Sequence, residues 1–418
     1  MKIDARNKQY EQYAPKWQRC RDAAAGGDEV KGRGAAYLPE LSGQDTSEYS
    51  AYQMRADWYG ATSRTIQGLT GAVFRREPQT IYPTAGQVLL DDVTLTGRSA
   101  VQVAGQLLDE IETVGRVGLY VDYPRGPDAE PRPYWVVAPA ERVINWGTDR
   151  IAGRSVLSWV VIEESVSVPT EGDRYTTEAV DQWRVLELDE AGLYRKGDDP
   201  EQKFVEFDRV EPLRRGERLS FIPFLFINPS DLLPDVDRPP LLDLVDINLS
   251  HYRTSADLEH GRHYTGLEQK ADAEAAETVR LRQAGQSATM ARIVDTLDEA
   301  LTRAAGWLLW WGGGVAVPNP PSEQVAFMLN RDLIGVRATL SDIQGIVQAF
   351  QGGLMSFETS YYNLERLEMT RPDVDVLDEL ELIDDRAEGE LLRAGELGDD
   401  ERVEIQTTVD NIVANTPV

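Results

Sequence analysis

The sequence is poor in the residues on which most catalysis depends. Among 418 residues there is one cysteine, Cys20, so no intrachain disulfide forms and no thiolate-rich metal site is built. The three histidines fall between His251 and His263. His260 and His263 are one helical turn apart beside Glu259, whereas the zinc motif HExxH needs histidines four apart with the glutamate between them; no metal or cofactor is expected. No apolar run approaches the roughly 20 residues of a membrane span. The opening MKIDARNKQYEQY lacks the apolar stretch of a secretory signal, so synthesis in the cytosol is expected. No GxxxxGKS or GxxxxGKT phosphate loop occurs, and the glycines of Gly26–Gly34 and Gly312–Gly314 lack the strand–loop–helix setting that nucleotide hydrolysis requires. No GxSxG elbow is present. Asp91–Asp92 and Asp384–Asp385 read as solvated charge rather than an acid–base couple, which leaves no catalytic residue to name.

Positive charge is scarce as well. Against 71 Asp and Glu there are 43 Lys and Arg, a net charge of −28, and only seven of the basic residues are lysines, the usage of a GC-rich genome. Tight duplex binding needs clustered cations that displace counterions from phosphates, so contact with double-stranded DNA is expected to be weak. The pairs Arg75–Arg76 and Arg214–Arg215 read as surface salt-bridge partners. Lys270, Arg280, Arg282 and Arg292 lie among acids along a helix, a mixed-charge face rather than a basic patch.

What is present is a long, mixed α+β pattern. The length fits two or three packed units at roughly 100–200 residues each. Residues 1–45 read as a partly ordered arm. Tyr49, Tyr52, Ala56, Tyr59 and Ile66 keep helical spacing over Thr46–Thr70, and Val101, Ala104, Leu107, Leu108 and Ile111 mark a second helix over Gly97–Thr113. From Arg116 to Asn228 short β-branched and aromatic runs alternate with Gly, Pro, Asp and Asn clusters, predicting mainly antiparallel strands with one helix packed on them. After Pro239 and Pro240 a helix with Leu241, Leu244, Val245, Asn248, Leu249 and Tyr252 on one side runs to about Gly261. A long helical pattern then spans Ala271–Trp311, its seam at Met290, Ile293, Val294, Leu297, Leu301, Ala304, Ala305 and Leu308, with Gly285 a candidate break and Gly312–Gly314 its stop. Short strands are expected at Gly314–Val317 and Gln324–Leu329. Two helices follow, Ser341–Gln351 and Ser356–Leu367, with serine at each N-cap position. Asp373–Glu404 holds fourteen acids against three arginines, a solvated helix before a frayed tail. The aromatic end Trp307, Leu308, Trp310, Trp311 reads chiefly as core packing, with a subunit interface as the alternative.

Four of these segments, in order, resemble a known family. They are YQMRADWYGATSRTIQGLTGAVFRREP from Tyr52, GRVGLYVDYP from Gly115, the stretch ending LLDLVDINLSHYRTSADLEHGRHYTGL within Ile222–Leu267, and ETVRLRQAGQSATMARIVDTLDEALTRAAGWLLWW from Glu277. Together with the last helix pair they are similar to portal proteins of tailed bacteriophages over about half the chain. The resemblance implies a homo-oligomeric ring, usually of twelve subunits, at one vertex of the virion capsid, made in the bacterial host cytoplasm. It also implies partners: the terminase large subunit, a head–tail adaptor, the major capsid and scaffolding proteins, and double-stranded DNA in weak contact with the channel, with no membrane.

Carried onto this chain, the resemblance gives an N-terminal arm (1–45), a wing (46–238) and a first stem helix (239–267). A clip, second stem and channel-loop region follows (268–287), then a long helix returning to the wing with short strands (288–335). C-terminal wing or crown helices (336–404) and a tail (405–418) complete it. Residues 268–276 are far shorter than the family's clip: either the clip is much reduced, or the sequence omits a segment, and omission is favoured because a ring without a clip has little surface for its motor. Channel or DNA-proximal candidates are Lys270, Arg280, Arg282 and Gln286; subunit-interface candidates are Tyr252, Arg253, His260, Trp307, Trp310 and Trp311. Twelve copies at −28 each give roughly −336, a conduit from which the counterion-release term that traps DNA is largely missing. The remaining alternatives are an acidic hydrolase using a carboxylate pair and another virion component, a minor capsid or head-completion protein.

Overall fold

The computed structural model describes residues 2–123, 132–151, 153–170, 173–188, 190–197, 203–265, 276–331, 340–366, 370 and 376–383. The chain is α+β and divides into two compact units, Met1–Leu333 and Ile334–Val418.

The N-terminal segment departs from the expected arm. Lys8–Ala25 is a helix, α1, capped by the Asn7 side chain, which accepts from the Gln9 N–H. Tyr10, Trp17, Cys20 and Ala23 are buried along it, a stripe at spacings of seven, three and three that charged neighbours obscure in the sequence. Burial pushes the Cys20 thiol up to about 12, so it is a small apolar filler rather than a nucleophile. Arg21 ties α1 down by pairing with both Glu110 and Glu141. A short α2 (Gly27–Gly32) follows.

The single helix expected over Thr46–Thr70 is two, α3 (Thr46–Arg55) and α4 (Ala61–Val73). An Asp45–Glu48 capping box starts α3, and side chains from a later helix hold the break open. Ser255 Oγ accepts the Asp57 N–H, and Asn248 donates to the Tyr59 carbonyl while accepting from Thr62. Such tertiary partners satisfy backbone groups that the helix would otherwise use.

Next come β1 (Gln79–Ile81), α5 (Gln87–Asp91) and α6 (Ala100–Val114). A Ser99–Gln102 capping box opens α6, and Gly115 closes it with φ 74°. A Cβ at Gly115 would lie 2.9 Å from the Pro239 Cα, so both the left-handed backbone and the close approach demand glycine there.

The β region is antiparallel throughout. Its strands are β2 (Val117–Asp122), β3 (Tyr134–Pro139), β4 (Val143–Ile151), β5 (Arg154–Thr170), β6 (Asp173–Glu187), β7 (Ala191–Lys196), β8 (Phe204–Val210), β9 (Leu213–Arg214), β10 (Glu217–Arg218) and β11 (Phe224–Ile227). β4 to β8 form a five-stranded meander, and β11–β2–β3 a separate three-stranded sheet. This smaller sheet is buried on both faces. Val117, Leu119 and Val121 enter one hydrophobic core with Leu225 and Ile227, whereas Tyr120, Phe224 and Phe226 enter the other. Two-sided burial is why VGLYV reads as an unbroken apolar run rather than an alternating one.

The cores belong to different helices. α1, α3 and α7 (Leu242–Thr265) pack with one face of that sheet and the meander; α6 and α8 (Ala276–Trp311) pack with the other. The expected seam of α8 is in place, from Met290 through Leu308. Gly285 does not break it: α8 runs 36 residues, about 54 Å at about 1.5 Å per residue. Beyond it the one strand among the described residues is β12 (Ala326–Met328), paired with β1; Gly314–Val317 is a run of bends instead of a strand, because Gly313 and Gly314 cap α8 through the carbonyls of Trp310 and Leu309.

In the second unit α9 (Leu340–Gln351) and α10 (Phe357–Arg366) are joined through Gly353 at φ 67°. Ser356 caps α10, accepting the Thr359 N–H. Phe357 meets Phe350 at 6.1 Å and Tyr361 at 6.1 Å between ring centroids. Residues 376–383 are helical. The rest of the expected acidic helix and the tail lie outside the described residues.

Candidate functional site

The residues singled out in the sequence separate into three groups. Lys270 lies outside the described residues; Arg280, Arg282 and Gln286 fall in the first half of α8, where only the backbone is described. The remaining six sit on α7 and at the end of α8.

Helix α7 buries Val245, Asn248, Leu249, Tyr252 and Ala256 against the protein's own body. Tyr252 is wholly enclosed, edge-on to Trp58 with centroids 6.0 Å apart, and burial pushes its phenol up to about 12. It has no surface to offer a neighbour, which corrects its interface assignment. Arg253 remains exposed, its Nε donating to the Tyr37 carbonyl at 2.8 Å. His260 is half-buried, edge-on to Tyr52 at 5.3 Å, with Nδ1 3.2 Å from an Arg55 guanidinium nitrogen. A guanidinium only donates, so Nδ1 is the acceptor in this contact. Tyr52 in turn donates to Asp257 at 2.6 Å. His263 is not brought together with His260 into a ligand set, and no cluster of metal-ligating side chains occurs among the described residues.

The opposite side of α7 was not anticipated. Ile247, His251, Thr254 and Leu258 are all exposed, Ile247 at 66% and Leu258 at 57%. Their spacing of four, three and four is that of a coiled-coil seam. Tyr59 extends the strip, its ring 6.2 Å from His251. The signal was legible in the sequence, but the stronger Leu and Val stripe on the inner side masked it.

At the end of α8, Trp307 is buried against Phe221 at 5.1 Å, so it too is a core residue and not an interface one. Trp310 and Trp311 are half-buried. Arg214 lies over the Trp310 ring at 4.5 Å and donates from Nε to the Trp310 carbonyl at 2.8 Å; Trp311 meets Tyr123 at 5.8 Å. The expected salt bridges of Arg214 and Arg215 do not form among the described residues.

Buried ionisable groups were invisible in the sequence. Arg116 is sandwiched between Trp146 at 4.5 Å and Phe226 at 4.2 Å and donates to Asn228 and to the Asp235 carbonyl; burial lowers its pKa to about 9. Burial, reinforced by Asp109, raises Glu112 to about 9. Asp298 rises to about 6 through burial, opposed by the Leu329 N–H and Arg331. No hydrogen bond or salt bridge joins these groups to one another among the described residues, so they form no acid–base constellation. Of the carboxylate pairs weighed in the sequence, Asp92 is engaged with Arg132 at 2.6 Å, and Asp384–Asp385 lies outside the described residues.

No family model matches this chain, and no curated protein matches it. Solved structures do: one, described as the neck of an empty GTA particle computed with C6 symmetry, is similar at 13% identity over 81% of this chain and 98% of that one. The TM-score is 0.31, a superposition too low to define a shared fold.

Proposed function

We propose that this chain is a structural subunit of a phage-like particle, placed at the head–tail junction, and more finely a portal protein whose copies close into a ring around the passing genome. In this reading it is not an enzyme: it is the conduit for packaging and ejection and the seat for a terminase motor and a tail adaptor. The ordered resemblance of four segments supports the family. The observation that carries the reading furthest is the outer strip of α7. After Tyr252 and its neighbours are buried, a mixed strip at coiled-coil spacing, with Ile247 and Leu258 exposed at its ends and Tyr59 beside it, is left facing solvent, the kind of surface a neighbouring copy could cover. A heterologous contact, one surface against a different surface of the next copy, is the kind that closes into a ring. The −28 charge of each copy suits a channel that does not hold DNA. Light scattering coupled to size-exclusion chromatography tests the reading: a particle of many subunits is expected, and a monodisperse monomer contradicts it.

A further inference from the structure

The cleft between the β9–β10 hairpin and the end of α8 has a volume of about 520 Å³, within the range of about 300–1,000 Å³ usual for small-molecule sites. Half-buried Tyr123, Phe221 and Trp311 line one wall, and Arg214 and Arg215 another.

Two features of the arginines are unusual. Arg215 and Gly216 form the two-residue turn between β9 and β10 with φ of 51° and 85°. Such turns favour Asn-Gly, because both positions need the left-handed region. Arg215 is the one non-glycine residue with positive φ among the described residues, so a strained backbone holds an arginine at the mouth of a cleft. Strain of this kind persists where the side chain has a task.

The second feature is charge. The acids that line the cleft are already engaged. Asp122 accepts from Arg184 and Tyr134, and Glu211 accepts from Arg218 at 3.0 Å. Glu187 is pushed up by burial and by a hydrogen bond shared with Glu190, which favours its neutral form. No acid pairs with Arg214 or Arg215 among the described residues. Glu217 stands opposite Arg214 on the hairpin rung and its charge acts on Arg214, but no hydrogen bond or salt bridge joins them. Burial first, and then the charge of Arg215, lower the Arg214 pKa. In a protein with 28 surplus negative charges, two adjacent guanidinium groups that form no salt bridge among the described residues, set beside an aromatic wall, suit an anion.

We infer that this cleft binds a phosphate carried on an aromatic base, the chemistry of a nucleotide unit, with Arg215 and the outer nitrogens of Arg214 on the phosphate and the Trp311 side of the wall against the base. Planar, forked guanidinium groups match phosphate oxygens, and an aromatic surface stacks any base without reading it. The inference is independent of ring formation. The unit has two possible sources, a free mononucleotide or the end of a single strand.

Titration of the full chain, read by tryptophan fluorescence and calorimetry, tests it with adenosine monophosphate, adenosine and a 5′-phosphorylated single-stranded oligonucleotide. Saturable binding of at least one phosphate-bearing probe is expected, with adenosine weaker by about tenfold or more. Saturation by the mononucleotide identifies a free nucleotide; saturation by the oligonucleotide alone identifies a strand end. Arg215→Asn restores a favoured turn while removing the guanidinium, so it is expected to raise the thermal midpoint and to weaken binding by about tenfold, whereas Arg215→Lys keeps most of the affinity. Absence of saturable binding of both phosphate probes at millimolar concentration overturns the inference. So does adenosine binding as tightly as its phosphate, or Arg215→Asn with affinity unchanged. If Arg215→Asn does not fold, the strain argument fails, and the adenosine comparison still decides the site.

Discussion

Glu112 and Arg116 lie four residues apart, and burial drives both toward neutrality, the acid up to about 9 and the base down to about 9. The Glu112 carboxyl has one weak contact, from Thr70 at 3.4 Å, and its other oxygen has no partner among the described residues. Its folded pKa stands above the usual 4.5, so the folded state keeps a proton that the unfolded state has lost. Stability from this group is therefore complete below about pH 4.5 and is lost as pH rises toward 9. Glu112→Gln is expected to gain on the order of 1–3 kcal/mol at pH 8 and to flatten that decline, as chemical denaturation at several pH values will report; an unchanged pH slope would place the penalty elsewhere. Leu297 and Leu301 make the opposite case. Both are fully buried on the α8 seam, and Leu297→Asp or Leu301→Asp is expected to cost more than about 4 kcal/mol. Soluble folded protein from either variant, judged by circular dichroism, would mean that the seam is misplaced. The leucines were legible because apolar residues at helical spacing announce their own burial. Glu112 and Arg116 were not, since a charge in sequence carries no mark of the environment it will occupy.

At the scale of elements, the same distinction decides which were read correctly. α6, α8 and the two C-terminal helices carry strong periodic faces or caps, and over the described residues each lies close to its expected span, although Ser341, expected as an N-cap, falls inside α9. The failures have tertiary causes. α1 hides a thin stripe of Tyr10, Trp17 and Cys20 among charges, and its order comes from what it packs against. The break between α3 and α4 is written in α7, through Asn248 and Ser255, 189 and 198 residues away. Helix α7 also carries the clearest test at this scale. The paired change Ile247→Asp and Leu258→Asp alters only exposed positions, so the circular dichroism spectrum is expected to stay native and the thermal midpoint to move by under about 0.5 kcal/mol equivalent. The assembly is expected to fall apart to smaller species on size-exclusion chromatography. Intact assemblies from this variant would show that the seam faces no neighbour.

At the largest scale, within the unit Met1–Leu333, two hydrophobic cores share one buried three-stranded sheet, with helices on either side. The end of α8 and the outer strip of α7 both belong to the compact unit Met1–Leu333. Sequence pattern conveyed the class and most of the elements but not this sharing, because no local period states which of two cores a side chain joins. The candidate interface was half legible for the same reason: Tyr252 and Trp307 have the composition of contact residues, yet their own chain encloses them, while the exposed Ile247 and Leu258 escaped notice.

Two-dimensional class averages of the purified protein under near-native salt, viewed along the particle axis, test the central claim most directly. An annulus of repeated subunits around an open centre is the expected image. Particles that never show a central hole, whether single subunits, filaments or closed shells, would contradict it.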